Sequence, residues 1–191
     1  MDEALRNVIS AEDTRPAIAE PGPARYLAFE GQGAPDAFPD CARALRRIAS
    51  EADLLAEHPV EAQWWAADGH AMTPDRMDTW RWTVLLKVPT SFGDTQLARA
   101  KGRAHGHADT GLLEQVRLRT FDEGPVVQVL HIGSLRDKAP ILRLMRDFAR
   151  QRGYELHGKY HEIYLDDPGP DSPPTARTIL RWPVSRDTYD A

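Results

Sequence analysis

The order of secondary-structure elements that the sequence predicts occurs twice along the chain. In the first half, an apolar run at residues 25–30 predicts a strand that a glycine-rich turn ends. Apolar residues at helical spacing from Phe38 onward predict a helix. Two further strands are predicted at residues 60–66 and 80–88, the second with a clear alternation of apolar and polar side chains. The predicted order of the first half is therefore strand–helix–strand–strand.

The second half repeats this order roughly a hundred residues later. Residues 126–132 predict a strand. The helix predicted after it is capped by Asp137 or a neighbour and has Pro140 in its first turn. Residues 159–165 and 175–182 predict the two closing strands. The helix is predicted to bury one apolar stripe, made of Ile141, Leu144, Met145, Phe148 and Ala149.

Such a module leaves one face of its sheet uncovered until it meets its copy, so pairing of the two copies would bury a continuous core. We therefore predict an α+β fold with an antiparallel sheet, helices on one face, and a ligand groove between the halves. Residues 1–22 are assigned to an N-terminal arm and residues 23–191 to one domain. Within that domain the modules span about 23–89 and 116–184, and a connector spans 90–115.

Charge and cysteine content limit the classes of partner and compartment. The net charge is −5 and no basic cluster is present, so neither nucleic acid nor a membrane surface is a predicted partner. The single cysteine, Cys41, cannot form an internal disulfide, which favours a reducing compartment. The N-terminus lacks the apolar core of a signal peptide, and no apolar run is long enough to span a bilayer. The sequence predicts a cytoplasmic globular protein and leaves its oligomeric state open.

The strand predicted at residues 159–165 carries a carboxylate between two tyrosines. Side chains alternate across a strand, so Tyr160, Glu162 and Tyr164 share one face, and His161 points to the other. In a dry aromatic pocket Glu162 would be a general acid or base, or the counter-ion of a ligand cation. The alternative is an edge glutamate that faces water or pairs with an arginine of the next strand.

The tryptophans suggest an aromatic wall for such a pocket. Two adjacent predicted strands carry most of them, as Trp64, Trp65, Trp80 and Trp82. Trp64 and Trp65 must face opposite ways, so only one of them lines a given pocket. For Trp80 and Trp82 a place in the helix-facing core is the alternative to a ligand contact. Tyr26 is a further candidate for the same wall.

No metal ion or cofactor is predicted. His105 and His107 lie in a polar connector without a third ligand nearby, which favours a solvated loop over a metal site. Gly31 and Gly33 follow a strand, but the third glycine of a dinucleotide fingerprint is missing and the element order is wrong for it.

Several strings of the sequence resemble the GyrI-like small-molecule-binding family. They are Tyr160-His161-Glu162-Ile163-Tyr164-Leu165 before an Asp-Pro loop, Thr178-Ile179-Leu180-Arg181-Trp182-Pro183-Val184, Trp64-Trp65, Trp80-Arg81-Trp82-Thr83, and Tyr26-Leu27-Ala28-Phe29-Glu30-Gly31-Gln32-Gly33. The resemblance covers almost the whole chain in order, although the family pattern leads us to expect a smaller polar residue in place of Trp182.

The resemblance implies a duplicated strand–helix–strand–strand module, and a groove that binds lipophilic, often cationic molecules. Members occur as ligand-sensing domains of multidrug regulators and as stand-alone proteins, and this chain resembles the stand-alone ones. Some of these, similar to this chain in length, hydrolyse the strained cyclopropane of DNA-alkylating natural products. In that hypothesis Glu162 orients or deprotonates water, and Tyr160 or Tyr164 donates to a ligand carbonyl. The alternatives are a non-catalytic protein that sequesters or senses lipophilic cations, with Glu162 as counter-ion, and an inhibitor that binds a topoisomerase.

Overall fold

The computed structural model of the protein describes residues 14–54, 58–70, 72–106, 109–135, 138–166 and 173–186, with the backbone alone for Pro74. In chain order the strands and helices are β1 (Ala17–Ala19), β2 (Ala24–Gln32), α1 (Phe38–Glu51), β3 (Val60–Ala66), β4 (Trp80–Val88), α2 (Asp94–Ala104), α3 (Thr110–Gln115), β5 (Arg117–Phe121), β6 (Val126–Ile132), α4 (Ala139–Arg150), β7 (Tyr154–Leu156), β8 (Tyr160–Tyr164) and β9 (Arg177–Arg186). The chain divides into two compact units. One comprises residues 24–121, and the other comprises residues 1–23 with 122–191.

The unit of residues 24–121 is an antiparallel sheet with helix α1 packed on it. Its strand order is β3–β4–β2–β5. Helix α1 carries a proline in its first turn, where the missing amide costs no hydrogen bond. Its apolar residues recur every three to four positions, so they form one stripe, and Cys41, Leu45 and Ile48 of that stripe are fully buried. Helices α2 and α3 pack on α1.

The other unit has an antiparallel sheet of strand order β1–β6–β9–β8, with β7 paired to the end of β9. Helix α4 follows β6 and again carries a proline, Pro140, in its first turn. Met145 and Ala149 of this helix are fully buried. The sheet and its helix give this unit the same strand–helix–strand–strand core as the first unit.

Strand register shows how close the duplication is. In the first unit Val84 of β4 pairs with Ala62 of β3 and with Phe29 of β2. In the second unit Leu180 of β9 pairs with Glu162 of β8 and with Val129 of β6, which are the residues one hundred positions later. Glu162 therefore corresponds to Ala62, and Tyr164 corresponds to Trp64. The predicted α+β fold, with a duplicated module of antiparallel strands, is confirmed.

The predicted helix stripe is buried only in part: Ile141 and Phe148 are half-buried, and one further residue is exposed. Leu144 is 46% exposed, so its predicted burial is wrong. The corresponding residue of the other unit, Ala44, is buried, in a helix on which α2 and α3 pack. Among the described residues of its own unit, α4 is the only α-helix, so no second helix of that unit covers Leu144.

Short elements were not predicted. Strands β1 and β7 and helix α3 have three to six residues, too few for a periodic pattern to stand out. Strand β1 lies within the predicted N-terminal arm, where Ala17 pairs with Gln128 of β6. The predicted helix cap Asp137 lies outside the described residues. Where the structure describes the chain, none of its helices has the length and apolar character needed to cross a membrane.

Candidate functional site

The carboxylate and the two tyrosines of β8 are buried together. Tyr160, Glu162 and Tyr164 alternate with residues of the opposite face, and their exposed fractions are 7%, 2% and 5%. The alternative of an edge glutamate in contact with water is therefore wrong. The two arginines of the neighbouring strand that seemed available to it have other partners: Arg177 binds Asp166, and Arg181 binds Glu123 and Gln128.

Among the described residues, Lys138 and Tyr164 each donate to one oxygen of the Glu162 carboxylate. The Lys138 ammonium donates from Nζ to Oε1 at 2.5 Å, and the Tyr164 hydroxyl donates to Oε2 at 2.6 Å. A buried carboxylate is costly unless it is paired and hydrogen-bonded, and here it is both. Hydrogen bonds to a charged acceptor are also among the stronger ones in proteins. The arrangement fixes the orientation of a charged group inside the unit.

Tyr160 is buried beside Lys138 and Glu162. Its ring is 5.3 Å from the Trp182 ring, and Lys138 Nζ lies 5.1 Å from its centroid, within cation–π range. The buried hydroxyl has no hydrogen-bond partner among the described residues. Burial and then the charge of Glu162 hold the pKa of Tyr160 well above its ordinary value. Tyr160 is therefore protonated, and among the described residues its hydroxyl has no acceptor in normal hydrogen-bond geometry.

Lys138 was not among the candidates from the sequence, although one signal pointed to it. It occupies the N-cap position of α4, where it makes no side-chain cap. Lysine is not a favoured N-cap residue, and a cation at a helix N-terminus opposes the helix dipole. A residue that breaks a local rule without a local benefit often serves a tertiary contact. That contact is Glu162, twenty-four positions further along the chain.

The opposite face of the same sheet carries a second buried ionic group. His161 and Arg181 are direct partners in register, and so are Arg181 and Gln128. Glu123 joins them, with Oε1 at 2.9 Å from His161 Nδ1 and Oε2 at 3.1 Å from Arg181 Nη1. Arg181 also donates to the Gln128 side chain at 3.1 Å. His161 thus points away from Glu162, as predicted, and we call these four residues the Glu123 network.

In the unit of residues 24–121, three of the candidate tryptophans share the face on which α1 packs. Trp64 and Trp82 are directly paired in register, and Phe38 of α1 stacks on Trp64 at 5.8 Å between ring centroids. Trp80 meets the Trp64 ring edge-on at 6.4 Å. Trp82 is 2% exposed and donates from Nε1 to the Gly33 carbonyl at 3.3 Å. Phe38 lies 6.3 Å from the Trp82 ring as well, so Trp64 and Trp82 pack with the helix and Trp80 packs on Trp64. For Trp82 this is the helix-facing core that was the alternative to a ligand contact.

The Trp82 ring also explains the glycine opposite it in the sheet. Gly31 pairs with Trp82, and a Cβ on Gly31 would lie 2.2 Å from the ring carbon Cζ2. We expect Gly31→Ala to lower the free energy of unfolding by about 1–3 kcal/mol or more, because neither the ring nor the strand has room to move. Urea titration of the purified variant measures this.

Gly102→Ala is the matched control for that substitution. Gly102 lies in α2 with open space around its missing Cβ, so alanine there should stabilise by about 0.5–1 kcal/mol through helix propensity. Equal effects of the two substitutions would contradict the role given to Trp82.

Tyr26 and Trp65 lie on the other face of this sheet. Tyr26 stacks on Phe121 at 4.7 Å and belongs to a small apolar cluster with Ala28 and Leu85. Trp65 pairs with Arg81 and alternates with Trp64, as predicted. The candidates Glu162, Tyr160 and Tyr164 lie in one unit, and Trp64, Trp65, Trp80, Trp82 and Tyr26 lie in the other.

Within the described residues, no group of three or more His, Cys, Asp or Glu side chains is placed to hold a metal ion. His105 instead contacts Glu114, with 3.3 Å between Nε2 and Oε1, and His107 lies outside the described residues.

Solved structures with the same fold are known. A hydrolase from Listeria innocua is 27% identical with a TM-score of 0.79, and the match covers 95% of this chain and 97% of that one. An uncharacterized conserved protein from Listeria innocua is also 27% identical, with a TM-score of 0.80 and coverage of 93% and 96%. The C-terminal domain of EcmrR shares the fold at 11% identity and a TM-score of 0.57, over 90% of this chain and 98% of that one.

Among curated protein sequences, none matches the chain. The family model of the GyrI-like small molecule binding domain matches residues 16–185, which is most of the chain and includes both copies of the module. The resemblance noted in the sequence is thereby confirmed, and the chain belongs to the GyrI-like small-molecule-binding family.

Proposed function

We propose that this protein is a small-molecule hydrolase that adds water to a strained, cyclopropane-containing electrophile, with Glu162 as the general base. The observation that carries the proposal is the buried Glu162 carboxylate, held at its two oxygens by Lys138 and Tyr164 beside the buried Tyr160 hydroxyl. Its family membership and its similarity to a hydrolase from Listeria innocua support this class of reaction.

The reaction balances with the groups present. Glu162 takes a proton from water as the water oxygen bonds to a ring carbon of the cyclopropane. The ring C–C bond breaks, and its electron pair moves into the conjugated carbonyl, whose oxygen becomes negative. The proton on Glu162 then passes to that oxygen, so the product carries a new hydroxyl on the former ring carbon and an enol or phenol in place of the carbonyl. General-base assistance of this kind contributes about 10²–10⁴-fold in rate.

The two tyrosines have different roles in this proposal. Tyr164 donates its hydroxyl proton to Glu162 and so orients the base. The Tyr160 hydroxyl has no hydrogen-bond partner in normal geometry among the described residues, and its raised pKa keeps its proton in place at neutral pH. Tyr160 therefore donates to the carbonyl oxygen where negative charge develops, and such assistance is most effective in a site from which water is excluded.

The proposal is tested with the purified protein and a spirocyclopropyl dienone, a neutral compound in which the cyclopropane is conjugated to a carbonyl. We expect loss of the dienone absorbance and formation of the ring-opened alcohol. In H₂¹⁸O the product should carry one ¹⁸O atom, as seen by mass spectrometry. A rate equal to that of buffer alone over a series of such compounds would reject the hydrolase assignment.

A further inference from the structure

Lys138 occupies the place that a ligand cation would take in a site of this kind. Its ammonium is 2.5 Å from Glu162 Oε1 and 5.1 Å from the centroid of the Tyr160 ring. A carboxylate next to an aromatic face is the combination that binds organic cations. In this protein both halves of that combination are already in contact with a cation of the chain itself.

The corresponding position in the other unit shows that the fold does not require a lysine there. The N-cap residue of the corresponding helix, α1, is Ala37, so the same place at the helix start carries no lysine. At the counterpart of Glu162 stands Ala62, which carries no charge. The unit that has the carboxylate also has the lysine, and the unit without the carboxylate begins its helix without one. The lysine is therefore explained by its contact with Glu162 and not by the start of the helix.

Helix α4 gives no local reason for the lysine either. Lys138 makes no side-chain cap at its N-cap position, and its charge lies at the unfavourable end of the helix dipole. The side chain is 34% exposed whereas Glu162 is 2% exposed, so the ammonium reaches inward from a partly open position.

We infer that Lys138 is a specificity-determining residue, whose tethered ammonium excludes lipophilic cations from the Glu162 site and restricts it to uncharged, carbonyl-bearing ligands. A group tethered by one side chain competes at an effective concentration in the millimolar range or above, which a free cation has to overcome. A neutral ligand does not compete for the carboxylate, and its oxygen meets the Tyr160 hydroxyl instead. This inference rests on the proposed function, because it names the substrate class of the same site.

The experiment compares two ligands of similar shape and different charge. Tetraphenylphosphonium is a lipophilic cation, and triphenylphosphine oxide is neutral with one strong acceptor oxygen. Each is titrated by calorimetry into the wild-type protein and into Lys138→Met. We expect the substitution to tighten tetraphenylphosphonium binding by about 10- to 100-fold, because the tethered competitor is gone. Binding of the phosphine oxide should change by less than about threefold, since it makes no use of the carboxylate.

Two variants make the result specific. Arg146→Met removes one positive charge from the exposed side of the same helix, and it should leave the binding of both ligands as in the wild type. The double variant Lys138→Met/Glu162→Gln should lose the gain in cation binding, because the counter-ion is then absent. If Lys138→Met does not fold, Lys138→Gln takes its place, since its amide still donates to Glu162 without a charge.

The inference is overturned if the wild type and the Lys138 variants bind tetraphenylphosphonium with equal affinity. It is also overturned if neither binds it detectably. An equal gain in Arg146→Met also overturns it, because the effect would then come from net charge alone. The readout is a ratio of binding constants and needs no turnover. A protein without hydrolase activity that still shows this ratio would reject the proposed reaction and leave the role of Lys138 intact.

Discussion

Glu162→Gln should reduce kcat/KM for the cyclopropane substrate by about 10²–10⁴-fold, with most of the loss in kcat. The amide has nearly the same shape as the carboxylate. Its oxygen still accepts from Lys138, and its nitrogen can donate to the Tyr164 hydroxyl oxygen, so the local geometry is kept. What disappears is the ability to take a proton from water. Steady-state kinetics on the purified variant give the split between kcat and KM.

Glu155→Gln is the matched control for this experiment. Glu155 lies in β7 of the same unit and is exposed, so the same loss of charge there should leave the kinetics unchanged. Thermal unfolding of both variants verifies that each is folded. Activity of Glu162→Gln within about threefold of the wild type would exclude Glu162 as the base, since general-base assistance is larger than that.

The tyrosines provide a finer comparison at the same site. Tyr160→Phe removes a hydroxyl that has no hydrogen-bond partner among the described residues, so it should not destabilise the fold and should lower kcat through the lost donor. Tyr164→Phe removes a hydrogen bond to a buried carboxylate, so it should lower the free energy of unfolding by about 1–3 kcal/mol. It should also lower kcat, because the base is then less well oriented.

Removing the acid of the Glu123 network should have the largest effect on stability. Glu123→Gln should lower the free energy of unfolding by about 3–5 kcal/mol, because Arg181 and His161 stay buried without their anion. Arg181 is 3% exposed and His161 is fully buried, so water cannot replace the lost partner. Urea unfolding followed by tryptophan fluorescence measures the change.

A double-mutant cycle separates the network from the individual side chains. Arg181→Met alone leaves Glu123 without one of its donors, and the double variant Glu123→Gln/Arg181→Met removes the pair. We expect the double variant to lose less stability than the sum of the two single variants, since replacing a whole buried pair costs less than breaking it. Additive losses would show that the two charges are not coupled.

The same network gives the unfolding free energy a dependence on acidic pH. Burial raises the pKa of Glu123, but the charges and hydrogen bonds of His161 and then Arg181 outweigh it and lower the pKa from 4.5 to about 2. A carboxyl whose pKa is lower in the folded state contributes stability above its unfolded value and loses it as pH falls through the folded value. We therefore expect a loss on the order of 3 kcal/mol between about pH 4.5 and pH 2, which Glu123→Gln abolishes.

The sequence by itself determined the features that depend on backbone periodicity. Alternation along β8 is enough to place Tyr160, Glu162 and Tyr164 on one face and His161 on the other. Apolar spacing located helix α1, and the order of strands and helices revealed the duplication that the register confirms. These features are local, because each follows from the geometry of a single helix or strand.

Only the tertiary structure decided which side chains meet. Lys138 reaches Glu162 from another element, and Arg181 takes Glu123 as its partner across the chain rather than Glu162. It also decided that the hydroxyl of Tyr164 binds the carboxylate at 2.6 Å, whereas that of Tyr160 has no such partner among the described residues, although both share one strand face. The reason is that a hydrogen-bond partner depends on distances within a few tenths of an ångström, set by the packing of helix on sheet, and no sequence period encodes those distances.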